Sequence, residues 1–114
     1  MIDASNPQPG YTLAEWTVRP GAEDAFVEEW TQFSEWLLKH RGAESFALIK
    51  GTQGARHFVS VAVWSGRGST VPWSTFLERL GRCRALCERS QSRTYRPVAL
   101  LSRPSGAAVV DVAA

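Results

Sequence analysis

His57-Phe58-Val59-Ser60-Val61-Ala62-Val63-Trp64 is the stretch on which the fold turns. β-Branched residues recur at alternate positions, with Gly54 before the run and Gly66 and Gly68 after it, which marks a strand. Side chains alternate across a strand, so His57, Val59, Val61 and Val63 share one face as a uniform packing surface. Phe58, Ser60, Ala62 and Trp64 share the other, where two small residues between two large aromatics leave a hollow with Trp64 as a wall. A site in this chain is expected there.

Working outward, Gly51-Thr52-Gln53-Gly54 reads as a hairpin connection from a preceding strand, Ala43–Lys50, so these two strands are expected to pair antiparallel. On that strand Glu44, Phe46 and Leu48 alternate with Ser45, Ala47 and Ile49, and either set suits the core. Upstream, Ala22–His40 carries Ala22, Phe26, Trp30, Phe33 and Leu37 at helical spacing, with Ala25, Val27 and Trp36 widening the stripe. Glu23 and Asp24 begin this helix and Lys39, His40 and Arg41 end it, as the helix dipole favours, and Gly42 is the expected stop. Before it, Tyr11–Val18 alternates as a first strand, ended by Arg19-Pro20-Gly21. Met1–Gly10 is expected to be a flexible lead-in.

Downstream, Ser65–Thr70 is a small-residue loop and Pro72 suits the first turn of a second helix. Its apolar stripe is Trp73, Phe76, Leu77, Leu80, Cys83 or Arg84, and Cys87, interrupted by Gly81. Arg79, Arg82, Arg84 and Arg89 make this helix basic. Tyr95–Ser102 is the expected fourth strand, with Pro97 marking an edge or a bulge. The domain is thus read as 11–103, followed by a tail, 104–114, whose Ala107–Val112 segment suits a short strand or a partner contact.

At 114 residues the chain has room for one core. No apolar run approaches the roughly 20 residues that span a bilayer, and residues 1–10 show no charged-then-apolar leader pattern, so a cytoplasmic protein is expected. A net charge of +2, without basic residues interleaved with aromatics, gives no footprint for nucleic acid. Of the 13 basic residues only Lys39 and Lys50 are lysines, a bias that, with abundant Ala and Gly, points to a GC-rich bacterial genome. Cys83 and Cys87, four apart on the expected helix, are badly placed for a disulfide and have no clustered His or carboxylate to share a metal, so they read as two reduced, buried thiols.

The order βαββαβ is the ferredoxin-like plan of the α+β class: a four-stranded antiparallel sheet with both helices on one face. The other face carries His57, Val59, Val61 and Val63 with Leu13, too apolar for water. Packing it on the same face of a second copy is the simplest closure, so a homodimer is expected.

Within this plan, Val18-Arg19-Pro20-Gly21-Ala22-Glu23-Asp24-Ala25-Phe26, the Gly42 turn and the strand Phe58–Trp64 resemble the antibiotic biosynthesis monooxygenase domain of the dimeric α/β-barrel superfamily. The resemblance runs roughly from Tyr11 to Arg103 and implies a dimer whose sheets form a barrel, with a pocket between sheet and helices in each subunit. Some members oxidise phenolic or anthrone-type aromatics with molecular oxygen and no cofactor, and others open the haem ring. In the cofactor-free oxygenases the tryptophan ending the third strand is accompanied by an asparagine four residues earlier, a tyrosine in the next loop and an arginine on the second helix. Here Trp64 matches, Ser60 holds the asparagine position, the tyrosine falls near Thr70, and Arg84 stands at the arginine spacing with Arg82 close by. The haem-degrading pattern needs an asparagine on the first strand, where this chain has Ala14 or Trp16, and a histidine on the second helix, which has none.

The resemblance and the residues together give the candidate site. Trp64 is a core aromatic at a strand end or a catalytic pocket wall, with Ser60 and Ala62 leaving room for a planar ligand. Arg84 or Arg82 would stabilise a phenolate or oxyanion from the pocket rim, or belong to a solvated basic face. Phe58, Ser60, Ala62, Trp16, Trp30, Phe33 and Trp73 are the expected substrate-binding residues. His57 is read as an interface histidine and His40 as a helix-end residue. No Ser-His-Asp set, metal-spaced carboxylates or phosphate loop is present, and no cofactor or metal is expected. The expected function is cofactor-independent monooxygenation of an electron-rich aromatic. The alternatives are a non-catalytic ligand-binding or accessory dimer and an aromatic polyketide cyclase.

Overall fold

The computed structural model describes residues 10–40, 43–52, 54–64 and 73–103. Most of the lead-in (1–9), the Gly42 stop, Gln53, the loop through Thr70 with Pro72, and the tail 104–114 with Ala107–Val112 lie outside the described residues. The elements run β1 (Gly10–Val18), α1 (Glu23–His40), β2 (Ala43–Lys50), β3 (His57–Trp64), α2 (Trp73–Ala85) and β4 (Cys87–Tyr95). All strand pairs are antiparallel, in the order β2-β3-β1-β4, which is the ferredoxin-like α+β arrangement.

The entry into α1 is set by three residues. The Ala22 amide donates to the Arg19 carbonyl at 3.0 Å, and Gly21 between them has φ +80°. With Pro20 before it, this is a type II turn, in which only glycine takes the positive φ without strain. The turn starts α1 with Glu23 and Asp24 at its positive end.

Alternation on the strands decides which side chains meet the helices. Ala14, Trp16 and Val18 of β1 and Phe58 of β3 form the core with Phe26, Phe33 and Leu37 of α1 and Cys83 of α2. Phe26 is fully buried, with ring centroids 5.2 Å from Trp16 and 5.3 Å from Phe58, so one phenylalanine binds helix to sheet. On β2 it is Phe46 and Leu48 that pack against this core. Ile49 and Leu13 are left exposed on the opposite face, with Val59, Val61 and Val63 half-buried.

The fourth strand corrects the sequence expectation. β4 is Cys87–Tyr95, not Tyr95–Ser102, and Cys87 opens this strand instead of continuing α2. Glu88-Arg89-Ser90-Gln91-Ser92-Arg93-Thr94 lacks the apolar alternation of a half-buried strand because β4 is an edge, and its inward residues are small hydroxyls. Val98-Ala99-Leu100-Leu101 has the composition of a strand, but Pro97 precedes it and it pairs with nothing in the sheet.

Cys83 and Cys87 are free and buried, as expected. Burial, then the charge of Glu29 and the neighbouring Cys87, pushes the Cys83 thiol up to about 12. The Cys87 thiol is also raised by burial, against the opposing pull of Arg19, and it donates to the Cys83 carbonyl at 3.5 Å. Both sulfurs therefore act as protonated packing groups.

Candidate functional site

Between the sheet and the two helices lies a cavity of about 100 Å³. Its roof follows from helical spacing. Trp30, Phe33, Ser34 and Leu37 of α1 stand at i, i+3, i+4 and i+7, and Phe76, Leu80 and Arg84 of α2 stand at i, i+4 and i+8. Phe33 and Phe76 meet across the helices at 5.6 Å and close the roof. The floor follows from strand alternation: Thr12, Ala14 and Trp16 of β1, Ser60, Ala62 and Trp64 of β3, Phe46 of β2, and Ser90 and Ser92 of β4.

Small side chains make the space. Ala14 and Ala62 floor the middle, and aromatics stand around them. One wall is an edge-to-face run in which Trp64 meets Phe46 at 5.7 Å and Phe46 meets Trp30 at 6.2 Å. The indoles are fixed by hydrogen bonds as well as packing. Trp16 Nε1 donates to Ser60 Oγ at 3.0 Å, and Trp64 Nε1 donates to Thr12 Oγ1 at 2.9 Å.

Among the described lining residues, one buried side-chain polar atom makes no hydrogen bond. Ser34 is 5% exposed, and its hydroxyl makes no hydrogen bond. One turn earlier Thr31 returns its hydroxyl to the Val27 carbonyl at 2.7 Å, which is the usual resolution for a helical hydroxyl. A buried hydroxyl left unsatisfied costs about 1–3 kcal/mol.

The structure brings together Trp64, Arg84, Ser60, Ala62, Trp16, Trp30 and Phe33 around the cavity. It leaves three of the expected residues outside the lining. Arg82 is two positions from both Leu80 and Arg84, hence on the far side of α2, where it pairs with Glu78 at 3.0 Å. Phe58 shares the face of Ser60 but stands opposite Trp16 at the closed end of the sheet, sealed against Phe26. Trp73 is 59% exposed and stacks on the outside of Phe76 at 4.8 Å.

Ser34, Thr12, Ser90 and Ser92 were not legible as site residues. Ser34 sits inside the helical stripe that marks α1, and its place there was the available signal. Ser90 and Ser92 went with the misplaced fourth strand.

The chemistry of the lining is narrow. Arg84 supplies a cation, five hydroxyls and the Gln91 amide supply neutral polar groups, and no carboxylate, histidine, lysine or tyrosine is among the described lining residues. Described residues form no group of three or more His, Cys, Asp or Glu able to hold a metal ion. Among them, no helix is long and apolar enough to cross a membrane.

The family model for antibiotic biosynthesis monooxygenases matches residues 9–74. A comparison with curated proteins found no match. Among solved structures, the chain is similar to SnoaB, a cofactor-independent oxygenase from Streptomyces nogalater, with a TM-score of 0.71 and 19% identity over 84% of this chain and 99% of that one. It is similar to a conserved protein from Methanosarcina mazei Go1 with a TM-score of 0.66 and 16% identity, covering 78% of this chain and 92% of that one. A conserved protein of unknown function from Bacteroides thetaiotaomicron superposes with a TM-score of 0.65 at 13% identity, covering 79% and 98%. At these identities the likenesses establish the fold.

Proposed function

The chain belongs to the antibiotic biosynthesis monooxygenase family, and from that premise we propose that it oxidises an electron-rich aromatic of the phenol or anthrone type with O2, without a cofactor. In this reading it is a bacterial cytoplasmic homodimer joined through the apolar sheet face. The observation that carries the reading is the cavity itself: aromatic walls around a small-residue floor, with Arg84 as the cation in the described lining. Such a space suits a planar apolar ring with oxygen substituents.

The chemistry then runs through the substrate. An ionised phenol or anthrone passes one electron to O2, giving superoxide and a substrate radical. These combine to a hydroperoxide, which loses water, so a CH2 and one O2 become a C=O and one H2O. Arg84 favours the anionic form that starts the sequence, and the aromatic walls exclude water from the radical pair. Trp64 forms the wall of the substrate space.

A second reading is supported by the lack of a base among the described lining residues. A binding or accessory dimer needs none, and neither does a cyclase whose substrate ionises unaided. Oxygen uptake with a panel of anthrones and naphthols, against the Trp64→Phe, Arg84→Ala double variant, tests the first reading. Uptake that the variant loses supports the monooxygenase. Ring closure without uptake supports the cyclase, and binding without either supports the accessory dimer.

A further inference from the structure

Thr12-Leu13-Ala14-Glu15-Trp16 in β1 and Ser60-Val61-Ala62-Val63-Trp64 in β3 repeat one order of side chains: hydroxyl, any residue, alanine, any residue, tryptophan. The strands pair antiparallel with Thr12 opposite Ala62 and Ala14 opposite Ser60, so a local two-fold axis relates the two halves of the cavity floor. A flat ring on that floor meets the same kinds of group whichever way round it lies. Its orientation is decided by what flanks the floor.

The flanks differ. Beside β3, Phe46 of β2 meets Trp30 of α1 in an aromatic wall. Beside β1 stand Ser90 and Ser92 of β4, with Arg84 of α2. This second flank is also the open one: within the described lining the exposed residues are Arg84, Gln91 and Ser92, all on α2 or β4. The cavity thus has a closed aromatic side and a hydrated mouth that carries a cation.

Ser34 is the competing place for a polar ligand atom. On α1 it lies about 100° around the helix from Phe33, beyond Trp30, and so on the closed side. It offers one neutral hydroxyl where water does not reach, and an anion placed there loses its hydration with no cation to replace it. At the mouth the same oxygen keeps its water and gains Arg84.

We propose that the substrate enters carbon end first, that its ionising oxygen stays at the α2/β4 mouth beside Arg84, and that its proton passes there to a base from solution. The O–H bond breaks, its electron pair stays on the oxygen, and hydroxide or a buffer base takes the proton. This accounts for a lining whose described residues include no carboxylate, histidine, lysine or tyrosine. The sequence of 65–72, between β3 and α2, contains none either. The carbon opposite the oxygen then lies against the closed aromatic side, where water is kept from the radical pair. The inference rests on the aromatic-substrate reading and adds a rule of selectivity: bulk beside the oxygen is tolerated, and bulk opposite it is not.

Two isomeric probes test the orientation by equilibrium dialysis, with 2-naphthol as the reference. A hexyl chain is too long to be enclosed with a ring in about 100 Å³, so it must leave by the mouth. 3-Hexyl-2-naphthol carries chain and oxygen at one end, and 6-hexyl-2-naphthol carries them at opposite ends. The 3-hexyl isomer is expected to bind at least about tenfold more tightly. Equal affinity or the reverse order overturns the orientation.

The proton is followed with 2-naphthol in a weakly buffered indicator solution, at a pH about one unit below its free midpoint. Naphtholate absorbance should appear on binding, with about one proton released to the solution for each naphtholate formed. Arg84→Ala should lower both signals at least about threefold at equal occupancy. Naphtholate without matching proton release means that a residue of the protein has taken the proton, which overturns the solvent acceptor. Bound probe that stays un-ionised, or signals unchanged in the variant, overturns the mouth as the place of ionisation. Failure of 2-naphthol to bind overturns the aromatic-site reading itself. None of these results depends on oxygen turnover.

Discussion

Trp64 Nε1 reaches Thr12 Oγ1 at 2.9 Å, tying the last residue of β3 to the third of β1 at a half-buried edge of the floor. Its counterpart, Trp16 to Ser60, is fully buried. An orphaned hydroxyl costs more where water cannot reach it. Trp16→Phe should therefore lower stability by about 2 kcal/mol and Trp64→Phe by under about 1 kcal/mol. Denaturant midpoints at constant slope check this, and the reverse order would contradict the burial argument.

Ser34→Ala is expected to stabilise the ligand-free protein by about 1 kcal/mol. It removes an unsatisfied buried hydroxyl and puts the best helix former in α1. Urea unfolding measures the change. A destabilised variant would mean that the hydroxyl has a partner in solution.

Val61 stands opposite Leu13 on one side and Ala47 on the other, at the centre of the open sheet face. An unpaired carboxylate buried there costs several kcal/mol, so Val61→Glu should convert the proposed dimer to monomer or unfold it. Sedimentation equilibrium reads the outcome. A dimer of unchanged stability would place the interface elsewhere.

Arg84 lines the cavity and Arg82 pairs with Glu78 outside it. If the substrate ionises without a protein base, oxygen uptake should rise with pH along the substrate's own titration. Arg84→Ala should move that limb to higher pH and lower kcat/KM about 100-fold. Arg82→Ala should change it less than about twofold. A large Arg82 effect with a silent Arg84 would reverse the assignment.

The Cys83 thiol, ordinarily titrating near 9.0, is raised to about 12 by burial. The folded state therefore holds its proton at pH values where the unfolded chain has released it. Its contribution is fully present below about pH 9 and is lost as pH rises from 9 toward 12. The melting temperature should fall across that window, and Cys83→Ala should flatten the fall. An unchanged slope in the variant would assign it to other groups.

Periodicity carried most of the fold because it reports burial directly. Phe26, Trp30, Phe33 and Leu37 marked α1, and the alternation through His57–Trp64 marked β3 to the residue. Phe46 and Leu48 against Ala47 and Ile49 stayed open, since both sets are apolar and only contact with α1 distinguishes them. β4 was invisible for the opposite reason: an edge strand facing a cavity on one side has little apolar surface to repeat, and Val98–Leu101 imitated one.

The sequence by itself determined the order of elements, the turn at Pro20-Gly21, the hollow beside Trp64 and the apolar sheet face, because each follows from local spacing and side-chain size. Only the tertiary structure decided which side chains share that hollow. It joined Trp64 to Thr12 and Trp16 to Ser60, left Ser34 without a partner, and set Arg84, itself solvent-exposed, in the cavity lining while Arg82 pairs with Glu78 outside it. These relations link positions up to 52 residues apart. They depend on strand register and helix rotation, which are set by the packing of the whole core and not by any short run of residues.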